Sequence, residues 1–220
     1  MKIKAFFQKL VAWKLAFIAR LYLRRYRPMI IGITWSVGKT STKLAVAAVL
    51  SSVKKTRVGG ENLNNEFGMP LVIIGDWSKQ YYESGSSPLF WLTVFIKGIL
   101  GLIFSPDYPE VLILEYGADK PGDVKKLARS FKPHIGIITA IGEIPAHVEF
   151  FSGTEAVSRE KSKLVEVLEP SGFAVLNSDD DVVLDMGKRT KATVITYGFG
   201  EGAEVKISNF GYKMDHNIPL

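Results

Sequence analysis

Met29-Ile-Ile-Gly-Ile-Thr-Trp-Ser-Val-Gly-Lys-Thr-Ser41 is the stretch that decides the fold. Met29 to Thr34 is short, apolar and rich in β-branched residues, which predicts a buried strand. It runs into Gly38-Lys39-Thr40, and Thr40 to Leu50 reads as a helix with Leu44, Ala47, Ala48 and Val49 turned inward. Strand, Gly-Lys-Thr loop and helix together make a phosphate cradle. Backbone N–H groups and the helix N-terminus hold an anion, Lys39 reaches the terminal phosphates, and the Thr40 hydroxyl can ligate Mg²⁺.

Working outward, Val111-Leu-Ile-Leu114 is a second apolar strand that ends in Glu115. A Mg²⁺ held by Thr40 needs a hard oxygen partner, and Glu115 is the candidate; the alternative is an ordinary strand-end carboxylate at the solvent boundary. Pro121 to Ser130 reads as a helix with Pro121 in its first turn. Ile135 to Thr139 is a third strand, and Thr154 to Leu168 a helix opened by a capping Thr. Phe173 to Leu176 and Ala192 to Thr196 add two more strands. This alternation predicts an α/β fold of P-loop type, a mostly parallel, doubly wound sheet flanked by helices.

The remaining polar residues collect in three loops: Glu61 to Gly68, Ile141 to Glu149 with His147, and Asn177 to Asp181. Loops at the C-terminal ends of parallel strands form the walls of active sites. Taken singly, each is ordinary turn or helix-cap chemistry.

The chain has 220 residues, no cysteine, and 28 basic against 22 acidic side chains. Zero cysteine excludes a disulfide scaffold, a thiolate metal site and thiol catalysis. Residues 1–27 carry eight of the basic residues and no acid, so the rest of the chain stands at 20 basic against 22 acidic. The positive charge therefore belongs to the N-terminus, and a nucleic-acid partner is not expected of a slightly acidic body. The expected division is a basic amphipathic helix over 1–28 and a nucleotide-binding domain over 29–220. Lys14 and Arg20 interrupt the apolar run of residues 1–27, which is too short to span a bilayer. Two readings of that helix stay open. It lies in the plane of an anionic membrane, or it packs its apolar stripe on the protein. Pro88 to Phe104 is 17 residues, apolar except for Thr93 and Lys97, and reads as a buried or interfacial helix.

Six segments in order resemble the central ATP-binding domain of the Mur ligases. They are Thr34-x-Ser-Val-Gly-Lys-Thr-Ser-Thr42, Asn62-Leu-Asn-Asn-Glu-Phe-Gly-Met-Pro70, Leu114-Glu-Tyr-Gly-Ala-Asp119, Ile141-Gly-Glu with His147, Arg159-Glu-Lys161, and Ala174-Val-Leu-Asn-Ser-Asp-Asp180. The resemblance covers about residues 29–210 and is strongest to the MurF branch. It implies ATP-driven amide bond formation in peptidoglycan precursor synthesis: a substrate carboxylate is activated as an acyl phosphate, then attacked by an amine. It implies UDP-MurNAc-peptide and a D-alanyl-D-alanine-like amine as substrates, and a cytoplasmic enzyme, here at the inner face of the membrane if residues 1–27 meet lipid. By motif, Ser36, Val37, Gly38, Lys39, Thr40 and Ser41 would cradle the phosphates of ATP. Thr40 and Glu115 would hold one Mg²⁺ and His147 a second. Lys161 matches the lysine that the family carbamylates, whereas read without the resemblance it is a solvated helix lysine. Asn177 matches an adenine-pocket position, and Asn64 and Asn65 match a substrate-facing loop.

Three departures from the family pattern carry their own expectations. Trp35 stands where the family has glycine, so its indole is expected to strain the loop or cover the nucleotide. The spacing from Gly142-Glu143 to His147 is longer than usual. The UDP-sugar and C-terminal domains of complete Mur ligases have no counterpart in these 220 residues, so turnover by this chain alone is not expected. Beside the MurF-like ligase stand a non-catalytic nucleotide- or membrane-binding relative and a folylpolyglutamate-synthase-type ligase; the Asn64-Asn65-Glu66-Phe67 loop favours MurF over the last.

Overall fold

The computed structural model describes residues 2–34, 39–85, 87–104, 107–141, 151, 153–209, 214–215 and 218–219. Strand β1 (Met29–Thr34) lies inside a seven-stranded sheet between β3 (Val111–Glu115) and β4 (Ile135–Ile138). With β2 (Thr56–Val58), β5 (Phe173–Asn177), β6 (Thr193–Gly198) and β7 (Val205–Lys206), the order is β2-β3-β1-β4-β5-β6-β7. Every neighbouring pair is parallel. The short pair β8 (Met214–Asp215) and β9 (Ile218–Pro219) is antiparallel and separate. After β1 the chain winds outward to β2, returns to β3, then crosses β1 to reach β4. The crevice at the C-terminal end of β1 is therefore the switch point where open α/β sheets bind ligands. Neither β2 nor β7 was visible in the sequence, because two or three residues carry no readable alternation.

The pleat divides the core. Ile31, Ile33, Val111 and Ile113 face helix α2 (Lys39–Ser51) on one side. Leu112, Leu114 and Tyr116 face the other, under α1 (Lys2–Tyr26), α3 (Gly68–Ile74), α5 (Pro88–Phe104) and α6 (Asp123–Ser130). Gly32 is required here, since a Cβ would come within 2.7 Å of the Tyr116 ring. A third cluster, with Leu168, Leu176, Val183 and Met186, extends the core beneath β4 and β5.

Helix α1 packs one stripe onto the protein. Val11, Leu15, Ile18, Ala19 and Tyr22 are buried in the same cluster as α3 and α5. At roughly 1.5–3 kcal/mol for each large apolar side chain, this burial holds the helix firmly. The Tyr22 hydroxyl donates to the Gly98 carbonyl of α5 (2.8 Å), and Tyr26 stacks on Tyr108 with ring centroids 4.3 Å apart. Short α4 (Ser78–Ser84) sits beside α5.

Three helix expectations are corrected. Helix α2 is rotated: Lys43 and Ala47 are buried, whereas Leu44 (55% exposed), Ala48 and Val49 (71% exposed) face out. The inward spacing of Lys43, Val46, Ala47 and Leu50 is helical, but it is set by an ion pair that apolar periodicity does not reveal. Helix α6 begins at Asp123, not at Pro121, because Gly122 takes φ +95° and breaks the helical run. The segment from Thr154 divides at Ser162 into α7 (Thr154–Lys161) and α8 (Lys163–Glu166). Its N-cap is Gly153 at φ +120°, with no side-chain cap from Thr154.

Candidate active site

The ends of β1 and β3 are tied together. Tyr116 N–H donates to Ile33 O (2.9 Å), and the buried Thr34 hydroxyl donates to Tyr116 O (3.0 Å). This aligns Glu115, opposite Ile33 in the register, with the exit of β1 toward α2, which starts five residues on at Lys39. Glu115 is held from both sides. Asn64 Nδ2 donates to Oε1 at 2.9 Å, and Lys43 Nζ lies 3.5 Å from Oε2 while also donating to Gly60 O at 3.1 Å. The Lys43 and Glu115 side chains are 4% and 12% exposed. An ion pair so poorly hydrated is costly to form and more costly to break, so it fixes α2 against the loop that leaves β2.

Asn64 is set by backbone. Gly117 N–H donates to Asn64 O (3.0 Å), and a Cβ at Gly117 would fall 2.8 Å from that oxygen and 2.9 Å from Asn64 Cγ. Asn65 closes its own turn, its Oδ1 accepting from Phe67 and Gly68 N–H at 3.0 and 2.9 Å. Asn64, Asn65 and Gly117 share a cleft of about 320 Å³ with Asp119, Asp123 and Lys126. Burial holds the Asp123 carboxyl above its ordinary range, with nearby Glu66, Asp119 and Glu160 acting in the same direction.

On the far side of β1, Thr139 follows β4, and its hydroxyl oxygen is shielded with no hydrogen-bond partner among the described residues. Asp180 accepts from Val182 and Val183 N–H to cap α9 (Asp181–Asp185), and its second oxygen accepts from Ile141 N–H at 2.9 Å. Asp179 accepts from Phe199 and Gly200 N–H. Asn177 Oδ1 accepts from Asp179 N–H at 3.0 Å. The 177–181 cluster is thus turn and cap chemistry, and through Asp180 it anchors Ile141.

Lys161 is 5% exposed on α7, so it is not a solvated helix lysine. Its neighbour Glu160 reaches across to the start of α6, where Oε2 accepts from Gly122 N–H (2.9 Å) and Oε1 from Val124 (2.9 Å) and Lys125 (3.4 Å). Ser36, Val37, Gly38 and His147 lie outside the described residues, as does Trp35. Lys39 and Thr40 open α2, but their side chains also lie outside them, while Ser41 is exposed on its first turn. Among the described residues no group of three or more His, Cys, Asp or Glu gathers as a metal site. Sequence reasoning missed Lys43, Gly117 and Glu160. The signal for Lys43 was there, since it is the sole charged residue from Thr40 to Val53.

The Mur ligase middle domain family matches residues 102–217, more than half of the chain. The chain belongs to the Mur ligase family. Among curated relatives, the UDP-N-acetylmuramoyl-tripeptide--D-alanyl-D-alanine ligase of Mycobacterium leprae is 36% identical over 78% of this chain and 27% of its own length. That of Synechocystis is 33% identical over 86% of this chain and 35% of its own length. The chain therefore spans about a third or less of these relatives. Among solved structures, MurF from Thermotoga maritima in complex with ADP superposes with a TM-score of 0.70 at 23% identity, over 93% of this chain and 40% of that one. MurF from Acinetobacter baumannii gives 0.67 at 23%, over 90% and 36%. Escherichia coli FolC in complex with ADP gives 0.51 at 13%, over 94% and 53%. These likenesses establish the Mur ligase central-domain fold.

Proposed function

We propose that the chain is the nucleotide-binding core of a MurF-like, ATP-dependent peptide ligase of peptidoglycan precursor synthesis. Its substrates would be UDP-MurNAc-tripeptide and D-alanyl-D-alanine, and further domains would complete the site. The observation that carries this reading is the convergence at the C-terminal end of β1. Helix α2 begins there at Lys39, and a Glu115 carboxylate oriented by Asn64 and Lys43 stands at the end of β3 beside β1. The relatives' names support the substrate pair, and the ADP complex of the Thermotoga neighbour supports the nucleotide.

Ser36 to Ser41 would cradle the phosphates, with Lys39 as the charge on the terminal ones and Asn177 beside the adenine. The donor chemistry fits Mg²⁺: Glu115 offers hard carboxylate oxygens at the strand end, where it and Thr40 would hold one ion, and His147 would hold a second. Bound ATP supplies the phosphoryl group that activates the substrate carboxylate. Lys39 would neutralise charge on the phosphoryl oxygens, Lys161, carbamylated, would add an oxygen donor, and Asn64 with Asn65 would face the peptide. Eight basic side chains in residues 1–27 and outward Phe6, Trp13 and Phe17 support peripheral membrane contact through that segment.

Calorimetric titration of Mg-ATP into this chain, Lys39→Ala and Trp35→Gly tests the nucleotide reading. Binding by the parent that Lys39→Ala abolishes is the expected result. Binding by Trp35→Gly alone would mark a relative that has lost nucleotide use through its indole, and binding by none would overturn the reading.

A further inference from the structure

We propose that α5 and α1 together form a platform that docks on an anionic membrane surface, with the outer face of α5 as its larger part. This rests on, and deepens, the reading of residues 1–27 as a membrane contact.

Helix α5 is apolar except for Thr93 and Lys97, yet only one side is covered. Phe90, Trp91, Val94 and Gly98 are buried. Leu89 (69% exposed), Leu92, Ile96, Ile99, Leu100, Ile103 and Phe104 (73% exposed) face out. Their spacing of three and four residues draws one continuous stripe down 17 residues, about 25 Å of helix. A helix that is apolar all round belongs in a core or in lipid, and a stripe of this extent on a soluble surface marks an interaction site.

Helix α1 lies alongside and runs in the same direction, since Lys14 meets Phe95, Tyr22 meets Gly98 and Tyr26 meets Gly101. Its own outward stripe, Phe6, Leu10, Trp13 and Phe17, follows the same spacing, with Trp13 and Phe17 stacked at 6.1 Å. The two stripes adjoin across a seam bridged by basic residues. Lys14 Nζ lies 5.9 Å from the Phe95 ring centroid, and Arg25 donates to Ile103 O.

Charge selects the occupant. The two helices carry seven and one basic residues and no acid, and Lys14, Arg24, Arg25 and Lys97 are exposed around the apolar stripes. A second copy seated on this face would bring the same basic rim against itself, which a two-fold contact penalises. Anionic headgroups complement that rim, while the leucine, isoleucine and aromatic stripes enter the acyl boundary. No helix among the described residues is long and apolar enough to cross a membrane, so both helices would lie in its plane. Helix α1 packs on α3, and α5 on α1 and α4.

The test is flotation of the full chain with 100 nm vesicles of phosphatidylcholine alone or with a quarter phosphatidylglycerol. The bound fraction should rise at least tenfold with the anionic lipid and fall as salt is raised. Leu92→Glu with Ile96→Glu and Ile99→Glu should lower it at least tenfold at unchanged circular dichroism. Should that variant fail to fold, Leu92→Asn with Ile99→Asn replaces it, and a vesicle-induced blue shift of fluorescence that is absent in Trp13→Phe reports the α1 part of the platform. Undiminished binding by the α5 variants, with loss in Trp13→Glu and Phe17→Glu, would confine contact to α1 and overturn the platform while keeping the N-terminal reading. Absence of vesicle binding would overturn both, with a dimer in sedimentation assigning the face to a second copy and a monomer assigning it to a protein partner. Mg-ATP titration of the same samples reads the nucleotide site independently.

Discussion

Truncating Glu160 should loosen the start of α6, and with it the wall of the cleft beyond β3. Helix α6 is eight residues long, and its N-cap, Gly122, has no side chain to satisfy the first N–H groups. Glu160, 8% exposed, serves that purpose from α7 by accepting from Gly122, Val124 and Lys125. Two of the bonds are 2.9 Å and one 3.4 Å, so two count fully. Hydrogen bonds to a charged group contribute about 1.5–3 kcal/mol each, and a carboxylate at a helix N-terminus adds about 0.3–1 kcal/mol. Water can reach the exposed Gly122 and Lys125 after truncation and recover part of this, whereas Val124 is buried. Glu160→Ala should therefore cost about 3 kcal/mol, and Glu160→Gln, which keeps one acceptor oxygen, about 1–2 kcal/mol. At about 2–4 °C per kcal/mol for a chain of this size, the Ala variant should melt roughly 6–12 °C lower. Urea unfolding followed by circular dichroism measures both. An Ala variant within about 0.5 kcal/mol of the parent, or a Gln variant as unstable as the Ala one, would refute the reasoning.

Lys43→Met should cost about 2–3 kcal/mol by leaving Glu115 buried without its cation, and adding Glu115→Gln should recover part of it in a double-mutant cycle of urea unfolding. Gly117→Ala should cost about 1–3 kcal/mol, because its Cβ would fall 2.8 Å from the Asn64 carbonyl oxygen, and by displacing Asn64 from Glu115 it should weaken Mg-ATP binding severalfold by calorimetry; unchanged affinity would argue against a role for Asn64 at that carboxylate. Burial, reinforced by Tyr26, raises the Tyr22 phenol from about 10 up to about 12. The fold holds that phenol neutral, so its stabilisation is complete below pH 10 and is lost as pH rises toward 12. Thermal melts across that range should fall less steeply for Tyr22→Phe.

What the residues alone determined was the succession of apolar strands and the helix that follows the first of them. Those features are written in contiguous side chains: β-branched runs at Met29, Val111, Ile135, Phe173 and Thr193 fold as strands wherever the sheet places them. The ordered motifs then pointed to the family that the comparison assigns. Tertiary structure decided which faces point where. Lys43 turns inward because Glu115, 72 residues on, receives it, and that rotation exposes Leu44 and Val49 against the apolar pattern. Glu160 caps a helix 36 residues earlier, a contact with no local signature. The apolar wheel of α5 could not say which half is covered; the burial of Phe90, Trp91 and Val94 beside α1 did. Periodicity reports that a side chain is apolar, whereas its neighbour is set by the path of the whole chain.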